Sequence, residues 1–363
     1  MTTDELQSKT IDWLRFPLII GVLLIHSYKP AINDGGRIMG NEQVVYPVFQ
    51  FFRNLSSEVV GRLSVPMFFL IAGFLFFQAI PFNKACYLRK LKSRFHSLLL
   101  PYMFWNSFTI LAFFFLQQVM GFSQLAYGSA PLVAQWEATD YLRCFWDIRP
   151  PHYPLDYPLW FIRDLMVTIL LSPLLYLLFK RFKQVALLFF LLLWITGTSI
   201  PLTGINTMAI FFFMLGGSAR LSQMNLVTAS RKLFRFSLLV YPVAAIADAL
   251  TKGLAFNGYL HNAGILLGIL FLFNGVSYLL EHQKLTIGTF LPGASFFLFA
   301  VHEQALSQIR KSLTTIFPPG SNQTCDVMLY LLPLIILLPI VLFLYYLLRK
   351  YLPSILRIMV GTR

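Results

Sequence analysis

The stretch Trp13-Leu-Arg15-Phe-Pro-Leu-Ile-Ile-Gly-Val-Leu-Leu-Ile-His26-Ser-Tyr28 sets two ionisable side chains into an apolar run, with ten apolar residues between Arg15 and His26. An arginine inside a membrane span costs roughly 2.5–3.5 kcal/mol on insertion scales, so such a residue is a candidate for function. Eleven residue steps on a helix separate the two by about 16 Å along the axis. They amount to about three turns, so both side chains leave nearly the same face. One helix face therefore offers a cation near one membrane surface and a titratable imidazole at mid-depth or beyond.

The rest of the chain extends that reading. Its 363 residues are 57% hydrophobic and 12% charged, with a mean hydropathy of +0.67. Soluble domains carry about 25% charged residues. Apolar runs recur from end to end, which implies an all-α polytopic bundle forming one integral-membrane domain over residues 1–363. Ten spans of about 20 residues are expected, at 12–30, 59–80, 96–118, 158–179, 185–202, 205–221, 234–252, 259–280, 287–308 and 327–349. The start, Met1-Thr-Thr-Asp4-Glu5, is acidic and no Ala-x-Ala site follows the first run, so no cleaved leader is expected.

The net charge of +14 does not point to nucleic acid. In membrane proteins basic residues gather in cytoplasmic loops, where they face anionic lipid headgroups. The loops follow that rule with both termini inside a cell inner membrane. Inner loops hold Lys84, Arg89, Lys90, Lys92 and Arg94, then Lys180, Arg181 and Lys183, then Arg220, Arg231, Lys232 and Arg235. The C-terminal end adds Arg349, Lys350, Arg357 and Arg363. The outer loop at about 119–157 mixes Glu137, Asp140, Asp147 and Asp156 with Arg143 and Arg149. It is also rich in aromatics and prolines, a composition that suits sugar binding as well as an interfacial belt. The other outer piece covers about 31–58.

Cys86, Cys144 and Cys325 form no CxxC and no zinc spacing, so no metal is expected. No P-loop, GxGxxG, GxSxG or HExxH occurs, which removes soluble nucleotide-binding, hydrolase and zinc-protease classes.

Five strings stand in order along the chain: Arg15-x10-His26; Val65-Pro-Met-Phe-Phe-Leu-Ile-Ala-Gly-Phe-Leu-Phe76; Ser93-Arg94-Phe-His-Ser-Leu-Leu-Leu-Pro101-Tyr102; Pro158-Leu-Trp160-Phe-Ile-Arg163-Asp164-Leu; and Ser295-Phe-Phe-Leu-Phe-Ala-Val-His302. Together they resemble the acyltransferase 3 family of bacterial integral-membrane acyltransferases, over nearly the whole chain. The resemblance implies transfer of an acyl group, often acetyl, from cytoplasmic acyl-CoA to a hydroxyl of a surface polysaccharide or related glycan. It also implies that Arg15 and His26 are the family's functional pair. Where the family commonly has a tyrosine before the late histidine, this chain has Phe299. Ala72 stands where Ser-Gly is common before Gly73.

The chemistry agrees with that implication. Acyl transfer to a sugar hydroxyl needs a base, and an imidazole titrates near neutral pH. Arg15 offers a planar fork for a donor phosphate or carboxylate. His302 and Glu303, in an otherwise apolar stretch, are candidates to orient His26 or the acceptor. Arg94 is a candidate for the donor's phosphates. Trp160, Arg163 and Arg62, near the outer ends of spans, are candidates for the acceptor; an interfacial anchor and local charge balance are their plainer readings. No permanent cofactor is expected, and acyl-CoA enters as a substrate. The partners expected are membrane lipid, acyl-CoA and a saccharide. A glycan transporter or flippase is the alternative, although the Arg-x10-His string has no counterpart in the second half.

Overall fold

The computed structural model describes residues 1–27, 46–78, 82–118, 132–147, 149, 152–198, 206–286 and 288–361. The stretch 31–45, positions 119–131, the expected span junction at Ile200-Pro201 and Arg363 lie outside the described residues. The described chain is built from helices: α1 (Thr3–Ser27), α2 (Pro47–Phe76), α3 (Lys84–Gln118), α4 (Ala138–Arg143), α5 (Trp160–Leu170), α6 (Ser172–Phe182), α7 (Gln184–Ile195), α8 (Thr207–Leu221), α9 (Leu226–Arg231), α10 (Phe234–Leu250), α11 (Asn257–Glu281), α12 (Phe290–Leu313), α13 (Gln323–Tyr351) and α14 (Pro353–Val360).

Each of the ten expected stretches contains a helix, with different bounds. Among the described residues, five helices are long and apolar enough to cross a membrane: α1, α2, α3, α11 and α13. The span expected at 158–179 is corrected to a bent pair, because α5 and α6 meet at 59°. Pro173 sits in the first turn of α6, where its missing N–H and fixed φ start a new helix. Helices α7 and α8 are apolar but shorter. Helix α10 has 17 residues, and α12 carries His302, Glu303, Arg310 and Lys311. The outer faces are lined by exposed apolar side chains such as Leu188, Phe189, Leu239, Val243 and Phe343. Such a surface suits hydrocarbon rather than water, and the protein is a multi-pass membrane bundle.

Helix α1 runs through the middle of the bundle. At its start, Gln7 Oε1 accepts from the Leu226 N–H at 2.6 Å and Asp4 accepts from Asn225 at 2.9 Å, which docks it on α9. Near its end, Ser57 donates to the Leu24 carbonyl at 2.6 Å. Helix α2 therefore runs antiparallel to α1, and its far end, at Phe74 and Phe76, lies with the first half of α1. Helices α2 and α8 cross closely through Gly73 and Gly216. A Cβ on Gly73 would collide with the Phe213 backbone, and one on Gly216 with the Leu70 backbone. Small residues at such crossings let helix backbones meet inside a membrane.

Candidate active site

At the C-terminal end of α1, His26 meets α12. Glu303 Oε2 lies 2.9 Å from His26 Nδ1, and both side chains are 11% exposed. The ring of the fully buried His302 stands 4.8 Å from that of His26, centroid to centroid. His302 Nδ1 is 2.5 Å from the Phe299 carbonyl, one turn back on the same helix, so Nδ1 carries the proton and the ring orientation is set. A third element closes the group. The Tyr157 hydroxyl shares a hydrogen bond with His26 Nδ1, and its ring meets the His26 ring edge-on at 5.3 Å.

The backbone beneath His26 is gripped as well. Arg310 is buried on α12 and donates from Nη2 to the His26 carbonyl at 3.1 Å and to the Ser27 carbonyl. A helix ends with carbonyls that lack intrahelical partners and with a partial negative charge. A guanidinium answers both. Glu303 and Arg310 are seven residues apart, two turns of α12, so one helix face holds the side chain and the backbone of the same histidine.

Behind Tyr157 lies Asp156, which is 1% exposed. Its N–H donates to Asn106 Oδ1 at 3.1 Å, and its Oδ1 accepts from Gln304 at 2.8 Å. Burial pushes the Asp156 carboxyl up to about 7, with the nearby Glu303 acting in the same direction. Gln304 follows Glu303 in sequence, so this pair ties the start of α5 to the helix that carries the acid.

The other candidates from the sequence lie apart from this cluster. Because α1 is one continuous helix, Arg15 stays about 16 Å along it from His26. It pairs with Asp12 at 3.1 Å and is 27% exposed. Half-buried Arg94 lies near the start of α3, in a region where Lys90 stands 5.3 Å over the Phe76 ring. Arg220 stands 5.3 Å over Phe74, so three basic side chains occur around that end of α2 and α3. Arg62 pairs with Glu58 at 3.0 Å on its own helix. Trp160 is packed partly buried against the core at the start of α5.

Arg163 is buried and faces Asp164 at 2.8 Å. It donates to the His152 carbonyl and underlies the Trp146 ring at 5.7 Å. Asp164 Oδ2 in turn accepts from the Asn206 N–H at 3.0 Å. This pair anchors the segment that leads into Tyr157.

Tyr157, Asp156, Gln304 and Arg310 were not singled out from the sequence. The one signal for Tyr157 was the composition around it. The nearest aromatic-rich string, Tyr153-Pro-Leu-Asp156-Tyr157-Pro, runs straight into Trp160.

His26, His302 and Glu303 place their ligand-type atoms within 4.8 Å of one another. Two imidazoles and a carboxylate match a zinc donor set. The 2.9 Å approach of Glu303 to His26 equally suits a pair that handles a proton.

Comparison with known proteins adds to this geometry. A family model described as an acyltransferase domain matches residues 8–350. The chain belongs to the acyltransferase 3 family. It is also 30% identical over 266 residues to the succinoglycan biosynthesis protein ExoH of Rhizobium meliloti (strain 1021), covering 70% of this chain and 64% of that protein. The chain thus spans just under two thirds of that relative's length. No solved structure matches it. The family match covers both α1 and α12, so His26 and Glu303 fall inside the acyltransferase domain.

Proposed function

We propose that this protein is a membrane O-acyltransferase that moves an acyl group, acetyl foremost, from cytoplasmic acyl-CoA to a hydroxyl of a surface or exported saccharide. The observation that carries the reading is the approach of Glu303 to His26 at 2.9 Å, with a phenol and a second imidazole around it. The succinoglycan biosynthesis relative supports a saccharide acceptor.

The chemistry follows from the arrangement. Glu303 beside Nδ1 favours the tautomer with the proton on Nδ1 and leaves Nε2 as the base. His26 Nε2 takes the proton of the acceptor hydroxyl as its oxygen attacks the thioester carbonyl. Glu303 stabilises the imidazolium that forms, and Tyr157 steadies the ring. The C–O bond forms, the C–S bond breaks, and the imidazolium returns the proton to the leaving thiolate. Arg15 and the basic residues Lys90, Arg94 and Arg220 suit the donor's phosphates at the other end of α1. The pantetheine arm then spans the distance to His26. On this reading that basic end faces the cytoplasm of a cell inner membrane and the His26 end faces outward.

Purified protein given radiolabelled acetyl-CoA and candidate saccharides tests the reading. Label recovered in saccharide with release of free CoA is expected. Saccharide movement across a vesicle without thioester consumption would make the protein a transporter.

A further inference from the structure

Three aromatic rings descend from the surface to the base. Tyr153 is 44% exposed. Its ring lies 5.6 Å from that of Tyr157, and the Tyr157 ring lies 5.3 Å from that of His26. The segment that carries them is fastened by polar contacts. Arg163 holds the His152 carbonyl, Leu155 donates to the Cys144 carbonyl at 2.8 Å, and Asp156 is tied to Asn106 and Gln304. A loop fastened at so many points, with one aromatic face left open, is a prepared surface.

The chemistry of that surface selects its occupant. Asp156 lies between the two tyrosines in sequence. Its Oδ2 is buried and meets no hydrogen-bond partner among the described residues, and a buried carboxyl oxygen without a partner is costly. A pyranose presents an apolar C–H face flanked by hydroxyl groups. The face suits an open tyrosine ring, and a hydroxyl, which can donate or accept, supplies the missing partner. An acyl chain would satisfy the ring and leave the oxygen without a partner.

We propose that Tyr153, Asp156 and Tyr157 form the subsite for the sugar ring that carries the accepting hydroxyl, with Tyr153 as the stacking plane. This subsite rests on the saccharide-acceptor reading above. It places the hydroxyl at the end of the aromatic stair, beside His26, and assigns recognition of the acceptor to the segment at 152–157.

The test uses full-length protein in membrane vesicles, labelled acetyl-CoA, and unacylated surface saccharide isolated from cells that lack this gene. Tyr153→Ala is expected to raise the acceptor KM about 3- to 10-fold, the size of a lost aromatic contact. The donor KM and kcat, normalised to protein level, stay within about two-fold of the parent on the same argument. Tyr153→Phe keeps the ring and keeps the parent's acceptor KM. An acceptor KM unchanged in Tyr153→Ala overturns the subsite while leaving the acyltransferase reading intact. So does a loss in Tyr153→Phe equal to that in Tyr153→Ala. A parent protein that transfers no label to this saccharide overturns the acceptor reading, and the subsite with it.

Discussion

His26 and His261 each stand beside a buried or largely buried carboxylate, at 2.9 Å from Glu303 and 2.8 Å from Asp248, and the surroundings of the two pairs differ throughout. The Asp248 pair is local. It sits at the turn between α10 and α11, where Lys252 approaches the carboxylate at 2.8 Å and Asn257 donates to it at 2.8 Å and to the Asp248 carbonyl at 3.0 Å. All four residues fall within fourteen positions of sequence. The carboxylate is met from several sides and the cluster locks a helical turn. The His26 pair is assembled from α1, α12 and the start of α5, more than a hundred residues apart from one another. It adds a second imidazole, a phenol and an arginine clamp on the backbone. A histidine beside a carboxylate is thus not a site in itself. What separates the two is that the His26 group is assembled from three distant elements around one imidazole, whereas the His261 group closes a single helical turn.

The largest expected effect comes from exchanging the two histidines for alanine. His26→Ala is expected to lower turnover about 10²–10⁴-fold, the usual contribution of a positioned base, with near-parent protein levels. His261→Ala is expected to leave turnover within about two-fold and to lower stability by about 1–2 kcal/mol, because Asp248 loses one donor and keeps two. Transfer rates in vesicles and thermal melts in detergent check both. Equal turnover losses would erase the distinction drawn between the clusters.

Next in size is the clamp. Arg310→Ala leaves two carbonyls at the end of α1 without their charged donor, a loss of about 1.5–3 kcal/mol. A turnover loss of about 10- to 100-fold is expected if that energy holds His26 in place, with partial recovery in Arg310→Lys. Parent-like kcat in Arg310→Ala would reduce the clamp to a packing feature.

A smaller effect sharpens the role of the carboxyl behind Tyr157. Asp156 titrates near 7 in the folded protein and near 3.9 when unfolded. Between these values the folded form holds the extra proton. Asp156 therefore makes stability fall as pH rises from about 4 to about 7, by a few kcal/mol in order of magnitude. In Asp156→Asn this contribution is absent, so the decline in melting temperature between pH 5 and pH 8 should shrink. An unchanged decline would show that the carboxyl ionises normally. The smallest effect is on metal dependence. Chelation with EDTA or phenanthroline is expected to leave transfer unchanged, and loss of activity restored by zinc would recast His26, His302 and Glu303 as ligands.

Much of the frame was legible in the sequence. Apolar runs of membrane length located a helix at every expected span, because a bilayer forces backbone groups into helical hydrogen bonds. Arg15-x10-His26 stood out because charge in such a run is expensive. The bend at Leu171 and Ser172 was missed because Pro173 can open a helix as readily as kink one. His302 and Glu303 were visible as polar residues in α12, but their meeting with His26 depends on how two helices 277 positions apart pack, and no periodicity encodes that. Asp156 and Tyr157 were hidden in a proline- and aromatic-rich segment, whose composition says that it is special without saying what it touches. Arg310 read as an ordinary basic residue near a helix end, since its backbone partners belong to another helix.

The central claim is that His26 and Glu303 work as one proton-handling unit, and a double-mutant cycle tests it directly. Initial rates of labelled acetyl transfer would be measured for the parent, His26→Ala, Glu303→Gln and the double variant at equal protein level. Groups that act as a unit are strongly non-additive. The account predicts a large loss in each single variant and a double variant no slower than His26→Ala alone. A double variant whose loss is the product of the two single losses would contradict it, because the two residues would then serve the reaction independently.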